Sequence, residues 1–402
     1  MNLANRVRGK LCNNVDAQNF IPCTAINELT SVDTVQKYLE SVLQHDSSHS
    51  SIVELVKYVT NQTEPAKKVF LILVLCGHLE HLSLLLQAGF GDRHLPIECD
   101  WNSTNERYDV RTRREPQTPG DTSLAWETFG GWPAEHVASF AENQWIFLAP
   151  VFTPGLFDFD LPQRCPFPIL EKHDRSKRGY SGSVYEVNIH EDHMQIELGT
   201  KSIAMKELLP NMHDYYRKEA ASLRLIRELK HGHLIQPLAA YRRGSSGVCG
   251  FLLPWAEGGN LEEFWKRPTK RAAGDPELMT WTLNQLRGLC GATEALHLKN
   301  CRHTDLKPPN ILLFHEGDYP GTLRIADVGL AKIHDDITGQ PQPISNAKSG
   351  SVRYEPPEFC RGERLSLVFD VWSLGCVFLE FLTWAVYGWK RLQSFVGRTN
   401  RF

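Results

Sequence analysis

The chain has no cysteine framework. Its ten cysteines are scattered over 402 residues, with no C-x-x-C pair. That excludes a small disulfide-stapled scaffold and favours reduced thiols in the cytoplasm or nucleus. Long apolar runs are missing too. The N-terminus, MNLANRVRGKLCNN, has no stretch of signal-peptide length. The run Val69 to Cys76 is followed by Gly77, His78, Glu80 and His81; it falls short of the roughly 20 residues that span a bilayer. Neither sign of charge dominates, with a net charge of −3. Internal repeats and low-complexity tracts are absent. These absences point away from membrane insertion and nucleic-acid binding, and toward a soluble intracellular protein. They leave the oligomeric state open.

What is present suffices for two domains, each with its own core. Residues 1–170 hold 13 Lys and Arg against 20 Asp and Glu, whereas residues 171–402 hold 31 against 27. The basic excess of the second part suits a domain that handles phosphates, as would a chance fluctuation in surface charge. Residues 1–30 show no clear periodicity and read as poorly ordered. From Val32 to Phe90 the pattern is helical. Ser51 and Glu54 make a capping box ahead of Ile52, Val53, Val56 and Val59. A helix is expected to start at Thr63-Glu64-Pro65 and close at Gly77, and another to run from His78 to Gln87. Residues 92–135 read as irregular. Aromatic residues then crowd from Trp126 to Phe159, chiefly as packing, with a peptide-binding groove as the alternative. Pro162, Pro166 and Pro168 mark a boundary, giving a mostly helical region over 1–165 and a second domain over 166–402. There, strand patterns at Val184–Ile189, Ile203–Leu208 and Gly250–Leu253 precede mostly helical sequence, with a helix over 215–229 between them. Strands first and helices later argue for an α+β domain of two lobes, split near 254–258.

The strongest chemical signal is His303-Thr304-Asp305-Leu306-Lys307-Pro308-Pro309-Asn310. Phosphoryl transfer asks a protein for a carboxylate beside the acceptor hydroxyl, a cation near the moving phosphoryl group, and oxygen ligands for Mg²⁺. Asp305, Lys307 and Asn310 offer these in order. Downstream, Ile325-Ala326-Asp327-Val328-Gly329 places a second carboxylate at a strand end, ahead of a glycine that permits a sharp turn. Upstream, Gly179-Tyr180-Ser181-Gly182 fits a loop whose backbone N–H groups cover phosphates. Ala204-Met205-Lys206 follows at strand spacing, and then Glu219 on a helix. A buried lysine needs an anionic partner, and Glu219 is placed to be one. Each element alone has a bland reading, as a turn or a solvated charge. Their order along the chain does not.

Together these elements match the signature set of protein kinases. Residues 171–390 resemble eukaryotic-type protein kinases, with a flavour of filamentous-fungal serine/threonine kinases in PWAEGGNLEEFW (254–265) and FDVWSLGCVFLEFL (369–382). QWIFLAPVF (144–152) is similar to the segment that precedes the kinase domain in such proteins. The resemblance implies a two-lobed kinase fold, ATP and Mg²⁺, and a protein substrate phosphorylated on serine or threonine. Asp305, with Lys307 and Asn310, would be catalytic, and Asn310 and Asp327 would hold the metal. Lys177, Gly179, Gly182, Val184, Ala204, Lys206, Glu219, Leu253, Pro254, Ala256, Leu312 and Asp327 would surround ATP. Leu253 would be the gatekeeper and Pro254-Trp255-Ala256 the hinge. At Pro254 the family uses the backbone carbonyl, which proline retains. Asp370 would brace the catalytic loop from beneath. Lys307 and Ser351 carry the serine/threonine reading.

The sequence departs from the family at Lys177, where a glycine is usual, and at Val328, where phenylalanine is usual. Thr304 replaces the arginine that normally receives an activation-segment phosphate. Glu358 normally pairs with an arginine far downstream, and the 44 residues after it are expected to leave the C-terminal lobe without its last helices. Two functions stay open: an active serine/threonine kinase, or a catalytically weak nucleotide-binding scaffold that acts through protein partners.

Overall fold

The computed structural model describes residues 2–43, 51–112, 128–178, 182–197, 202–244, 247–268, 273–317, 319–327, 332–333, 352–357 and 367–399. The chain divides into two compact units. One comprises 1–153, 161–172 and 188–196; the other comprises 154–160, 173–187 and 197–402.

The first unit holds α1 (Leu3–Arg8), the short strands β1 (Cys12–Asn13) and β2 (Asn19–Phe20), α2 (Cys23–Leu29), α3 (Val32–Val42), α4 (Ile52–Thr60), α5 (Lys67–Cys76) and α6 (Leu82–Gln87). A hairpin of β3 (Ile97–Asn102) and β4 (Arg107–Thr112) and the helix α7 (Ala134–Asn143) complete it. The expectation of disorder over 1–30 is corrected, since Leu3, Val7 and Leu29 are buried in this unit's core and Phe20 is buried as well. The irregular reading of 92–135 is corrected in part by the hairpin; residues 113–127, Trp126 among them, lie outside the described residues.

Ser51 and Glu54 do close a capping box on α4, but the buried face is Leu55, Val56 and Val59, while Val53 faces outward. Helix α5 begins at Lys67 rather than at Pro65, and ends at Gly77 in the left-handed region, φ 77°. Such a terminator suits glycine because a Cβ there would be strained. Residues 78–87 divide into a single 3-10 turn, Leu79–His81, and α6. Phe129, Trp132, Phe140 and Phe147 are buried in the core of this unit, as packing residues.

The second unit is built on a six-stranded sheet in the order β5-β9-β10-β8-β7-β6, with β5 Asp158–Leu161, β6 Ile169–Arg178, β7 Gly182–Ile189, β8 Ile203–Leu208, β9 Ala239–Arg243 and β10 Val248–Pro254. Strands β7, β8, β10 and β9 pair antiparallel in that sequence. Between β8 and β9 runs α8 (His213–Leu229). Helices α9 (Leu261–Lys266) and α10 (Pro276–His297) follow, then β11 (Cys301–Arg302), β12 (Ile311–Phe314), β13 (Thr322–Ile325), β14 (Lys332–Ile333), α11 (Val368–Tyr387) and α12 (Trp389–Thr399). Asn260 and Glu263 cap α9 reciprocally, and Asp275 caps α10 with Pro276 in its first turn. A β-sheet lobe followed by a helical one is the α+β kinase arrangement.

Helix α11 is the one described helix long and apolar enough to cross a membrane, and half of its apolar window is buried. Leu374, Val377, Phe381 and Trp384 pack into the core of the second unit and Phe369 is buried too, as in a core helix of the same composition. Val371, on the same helix, is exposed.

Candidate active site

Strand β8 delivers Lys206 and helix α8 delivers Glu219. The ammonium Nζ lies 2.6 Å from Glu219 Oε1 and 2.9 Å from Asp327 Oδ1. Lys206 and Glu219 are both buried. Burial alone would lower the Lys206 ammonium, but Glu219, Asp327 and the nearby Tyr215 overrule it and keep the group charged. Burial pushes the Glu219 carboxyl up, and Lys206 pulls it back toward the ionised form. Asp327, also opposed by burial, is held below the ordinary carboxylate range, chiefly by Lys206. An ammonium has three N–H donors, and these two carboxylates leave one of them for a further acceptor. Glu219 Oε2 has no hydrogen-bond partner among the described residues, so Lys206 carries the compensation of that buried carboxylate.

The segment between β11 and β12 supplies the second cluster. Asn310 Nδ2 donates to the backbone oxygen and to Oδ2 of Asp305, each at 2.8 Å. Lys307 Nζ sits 2.9 Å from the same Oδ2. With its nitrogen so engaged, Asn310 offers its amide oxygen to a cation. Beneath, Asp370 is fully buried and accepts from the backbone N–H of His303 and of Thr304, both at 2.8 Å, and pairs with His297 Nε2 at 2.9 Å. Burial works against the charge on Asp370, but His297, His303 and these backbone donors hold its carboxyl below the ordinary range. His303 in turn accepts from Asp305 N–H through Nδ1 and sits 2.9 Å from the Ala326 carbonyl through Nε2. The catalytic-loop candidate and the Asp327 strand end are thus tied through one imidazole.

Thr304 and Asp327 both have positive φ, 66° and 59°. Non-glycine residues there carry backbone strain of about 1–3 kcal/mol, which the surrounding contacts must hold in place. The Asp370 carboxylate does so at Thr304, and Lys206 does so at Asp327.

The expected nucleotide-facing residues fall on connected elements. Val184 pairs with Lys206 across β7 and β8, and Ala204 pairs with Leu253 across β8 and β10. Pro254 ends β10, and Ala256 opens the turn at 256–259. Leu312 bridges to Asn260. A Cβ at Gly182 would meet the Glu207 carbonyl oxygen at 2.0 Å, so only glycine fits that close approach. Gly179, Val328, Ser351, Glu358 and the side chain of Lys177 lie outside the described residues.

Several contributors were given no role by the sequence. His297 and His303 are ordinary residues until Asp370, far along the chain, comes beneath them. Arg353 and Tyr354 both bond the buried Glu380, at 3.1 and 2.8 Å, fastening 352–354 to α11. A histidine before the Asp305 motif and an acidic residue within α11 are the only signals that could have pointed to them.

An Asp-Lys-Asn loop, a lysine bridged to two carboxylates, and a sheet lobe beside a helical lobe define a phosphate-handling domain, and the chain belongs to the protein kinase family. Residues 177–394, more than half of the chain, match the protein kinase domain. Among similar proteins is the mitogen-activated protein kinase kinase kinase MCK1 of Pyricularia oryzae, 34% identical over 157 residues, which are 39% of this chain and 9% of that protein. Another is the mitogen-activated protein kinase kinase kinase bck1 of Aspergillus fumigatus, 30% identical over 227 residues, 55% of this chain and 13% of that protein. Human cyclin-dependent kinase-like 4 is 28% identical over 184 residues, 45% of this chain and 44% of that protein. The chain therefore spans a small part of the fungal relatives and under half of the human one.

Proposed function

We propose that the chain transfers the γ-phosphoryl group of ATP to serine and threonine hydroxyls of a protein substrate, with Mg²⁺ as the metal. The observation that carries this reading is the pair of linked clusters, Lys206 with Glu219 and Asp327, and Asp305 with Lys307 and Asn310, joined through His303. The donor set fits a hard divalent cation: the Asn310 amide oxygen and the Asp327 carboxylate are oxygen ligands. When bound there, Mg²⁺ neutralises charge on the phosphates.

Each side chain then has a task. Lys206, kept charged, draws the nucleotide phosphates while Glu219 fixes its position. Asp305 orients the acceptor hydroxyl and takes its proton. Asn310 and Lys307 hold the Asp305 carboxylate, and Lys307 adds a positive charge beside the moving phosphoryl group. Asp370 holds the loop backbone, so that Asp305 meets the hydroxyl without reorganisation. Lys307 within Asp-Leu-Lys-Pro supports serine and threonine over tyrosine as acceptors.

The test is transfer from radiolabelled ATP to a degenerate peptide mixture containing serine, threonine and tyrosine, followed by phosphoamino-acid analysis. Phosphoserine and phosphothreonine are expected. Phosphotyrosine alone would reverse the specificity, and nucleotide binding without transfer would make the chain a scaffold.

A further inference from the structure

The first unit carries a cluster that the kinase chemistry does not use. Helix α5 stops at Gly77, and the 3-10 turn that follows presents His78, Glu80 and His81; α7 brings His136 against them. Glu80 Oε1 lies 3.4 Å from His78 Nδ1, 3.8 Å from His136 Nδ1 and 3.9 Å from His81 Nε2. His81 Nε2 and His136 Nδ1 are 2.9 Å apart and share a hydrogen bond. We propose that His78, Glu80 and His136 form a binding site for a divalent transition metal of the zinc class.

The chemistry of the donors selects the metal. Imidazole nitrogens with one carboxylate suit zinc, copper, nickel or cobalt, whereas Mg²⁺ and Ca²⁺ seek all-oxygen sets. The dimensions agree: ligands 2.0–2.1 Å from a tetrahedral zinc stand about 3.3–3.4 Å from one another. The distances from Glu80 to His78 and His136, 3.4 and 3.8 Å, lie close to that edge. The ligand atoms of all three residues fall within 4.8 Å of one another.

The rings of His78 and His136 stack at 3.6 Å with 21° between their planes. Lone pairs lie in the ring plane, so near-parallel rings do not converge on one point. Binding turns one ring about its Cβ–Cγ bond and displaces the proton shared by His81 and His136, which passes to solvent. His81 is then the nearest fourth donor. The partial exposure of His78 and His136, about a fifth of each side chain, gives a ring room to turn. A metal here joins the end of α5 to α7, two elements far apart in sequence.

The structure also supplies a reporter. Trp132 stacks on His81 at 3.7 Å and 13°, so its fluorescence senses changes at the neighbouring imidazoles. The experiment uses the full chain without a histidine tag, freed of metal by chelation and titrated with Co²⁺, then with Zn²⁺. One Co²⁺ is expected to bind with the visible bands of nitrogen-ligated cobalt and with a change in tryptophan emission. Excess Mg²⁺ is expected to leave it in place, whereas Zn²⁺ bleaches the bands.

Partners outside the ligand shell already contribute about 10–100-fold to metal affinity. His78→Ala, His136→Ala and Glu80→Gln should therefore each weaken Co²⁺ binding at least about tenfold while circular dichroism stays unchanged. Glu80 is half exposed, so Glu80→Gln decides the matter if a histidine variant fails to fold. No cobalt band in the folded wild type overturns the proposal. So does a band that survives Glu80→Gln and His136→Ala at full affinity, and the cluster is then a stacked, hydrogen-bonded packing feature.

Discussion

Replacing Lys206 with methionine removes the cation that offsets a buried carboxylate, and the consequence has a definite size and pH dependence. Glu219 is 2% exposed, and one of its oxygens has no hydrogen-bond partner among the described residues. Removing one member of a buried ion pair destabilises a fold by about 3–5 kcal/mol. Asp327, the other carboxylate on Lys206, lies in a crowded surround but keeps about half of its side chain in solvent, so it loses less than Glu219 does.

In Lys206→Met, burial and the neighbouring Asp327 charge both raise the Glu219 carboxyl, and the ammonium that lowered it is gone. A group whose folded pKa lies above its unfolded value stabilises below the unfolded value, and that contribution is lost as pH rises through the folded value. The unfolded reference is 4.5. The variant should therefore approach the double variant Lys206→Met/Glu219→Gln near that pH and fall behind it as pH rises. At pH 8 the double variant should recover about 2–4 kcal/mol of the roughly 3–5 kcal/mol loss. Urea unfolding, read by a probe in the second unit at several pH values, measures this. Coincident midpoints for single and double variants at pH 8 would refute the buried-pair argument.

Other outcomes follow from the same geometry. Mg-ATP at 100-fold excess over its dissociation constant should stabilise the wild type by about 2.7 kcal/mol, and thermal shifts should be smaller for Lys206→Met; equal shifts would remove Lys206 from the nucleotide site. Asp370→Ala strips the acceptor from two backbone N–H groups and from His297; a loss of about 3–5 kcal/mol is expected, measured by chemical denaturation, and a near-neutral result would contradict the bracing role. Gly182→Ala forces a Cβ onto the Glu207 carbonyl, so calorimetry should show nucleotide affinity falling about tenfold or more for a displacement worth ~1.4 kcal/mol. Thr304 cannot make the bidentate contact with phosphate that arginine makes, so replacing two serines of the stretch between Asp327 and Glu358, Ser345→Ala/Ser349→Ala, should leave the transfer rate within a few-fold.

The elements of the candidate site are legible in the sequence because their geometry is local or ordered along the chain. Asp305 and Asn310 sit five residues apart in one loop, and Asn310 bonds Asp305 directly. Lys206 and Glu219 stand on a strand and the next helix, so their pairing needed only the order of elements. Residues 1–30 were misread for a physical reason: α1 and α2 have six and seven residues, too few turns to display a period, and their burial comes from the rest of the unit. The β3–β4 hairpin was missed because its burial does not alternate; both strands are mostly exposed or half-buried. The bonds from His297 to Asp370 and from Arg353 to Glu380 join residues 73 and 27 positions apart, and no periodicity encodes such partners. Lys177, Gly179 and Glu358 were read from the motif and lie outside the described side chains.

The measurement closest to the central claim compares ATP affinity and phosphoryl transfer in one preparation of wild type and of Asp305→Asn. The Asp305 carboxylate is assigned to the acceptor hydroxyl, whereas Lys206 and Asp327 are assigned to the nucleotide. Transfer from radiolabelled ATP should therefore fall by at least about a hundredfold, the lower bound for a positioned acid–base group, while ATP affinity stays within about threefold of wild type. Equal transfer by the two proteins would contradict the account, because the activity would then not depend on the carboxylate assigned to it.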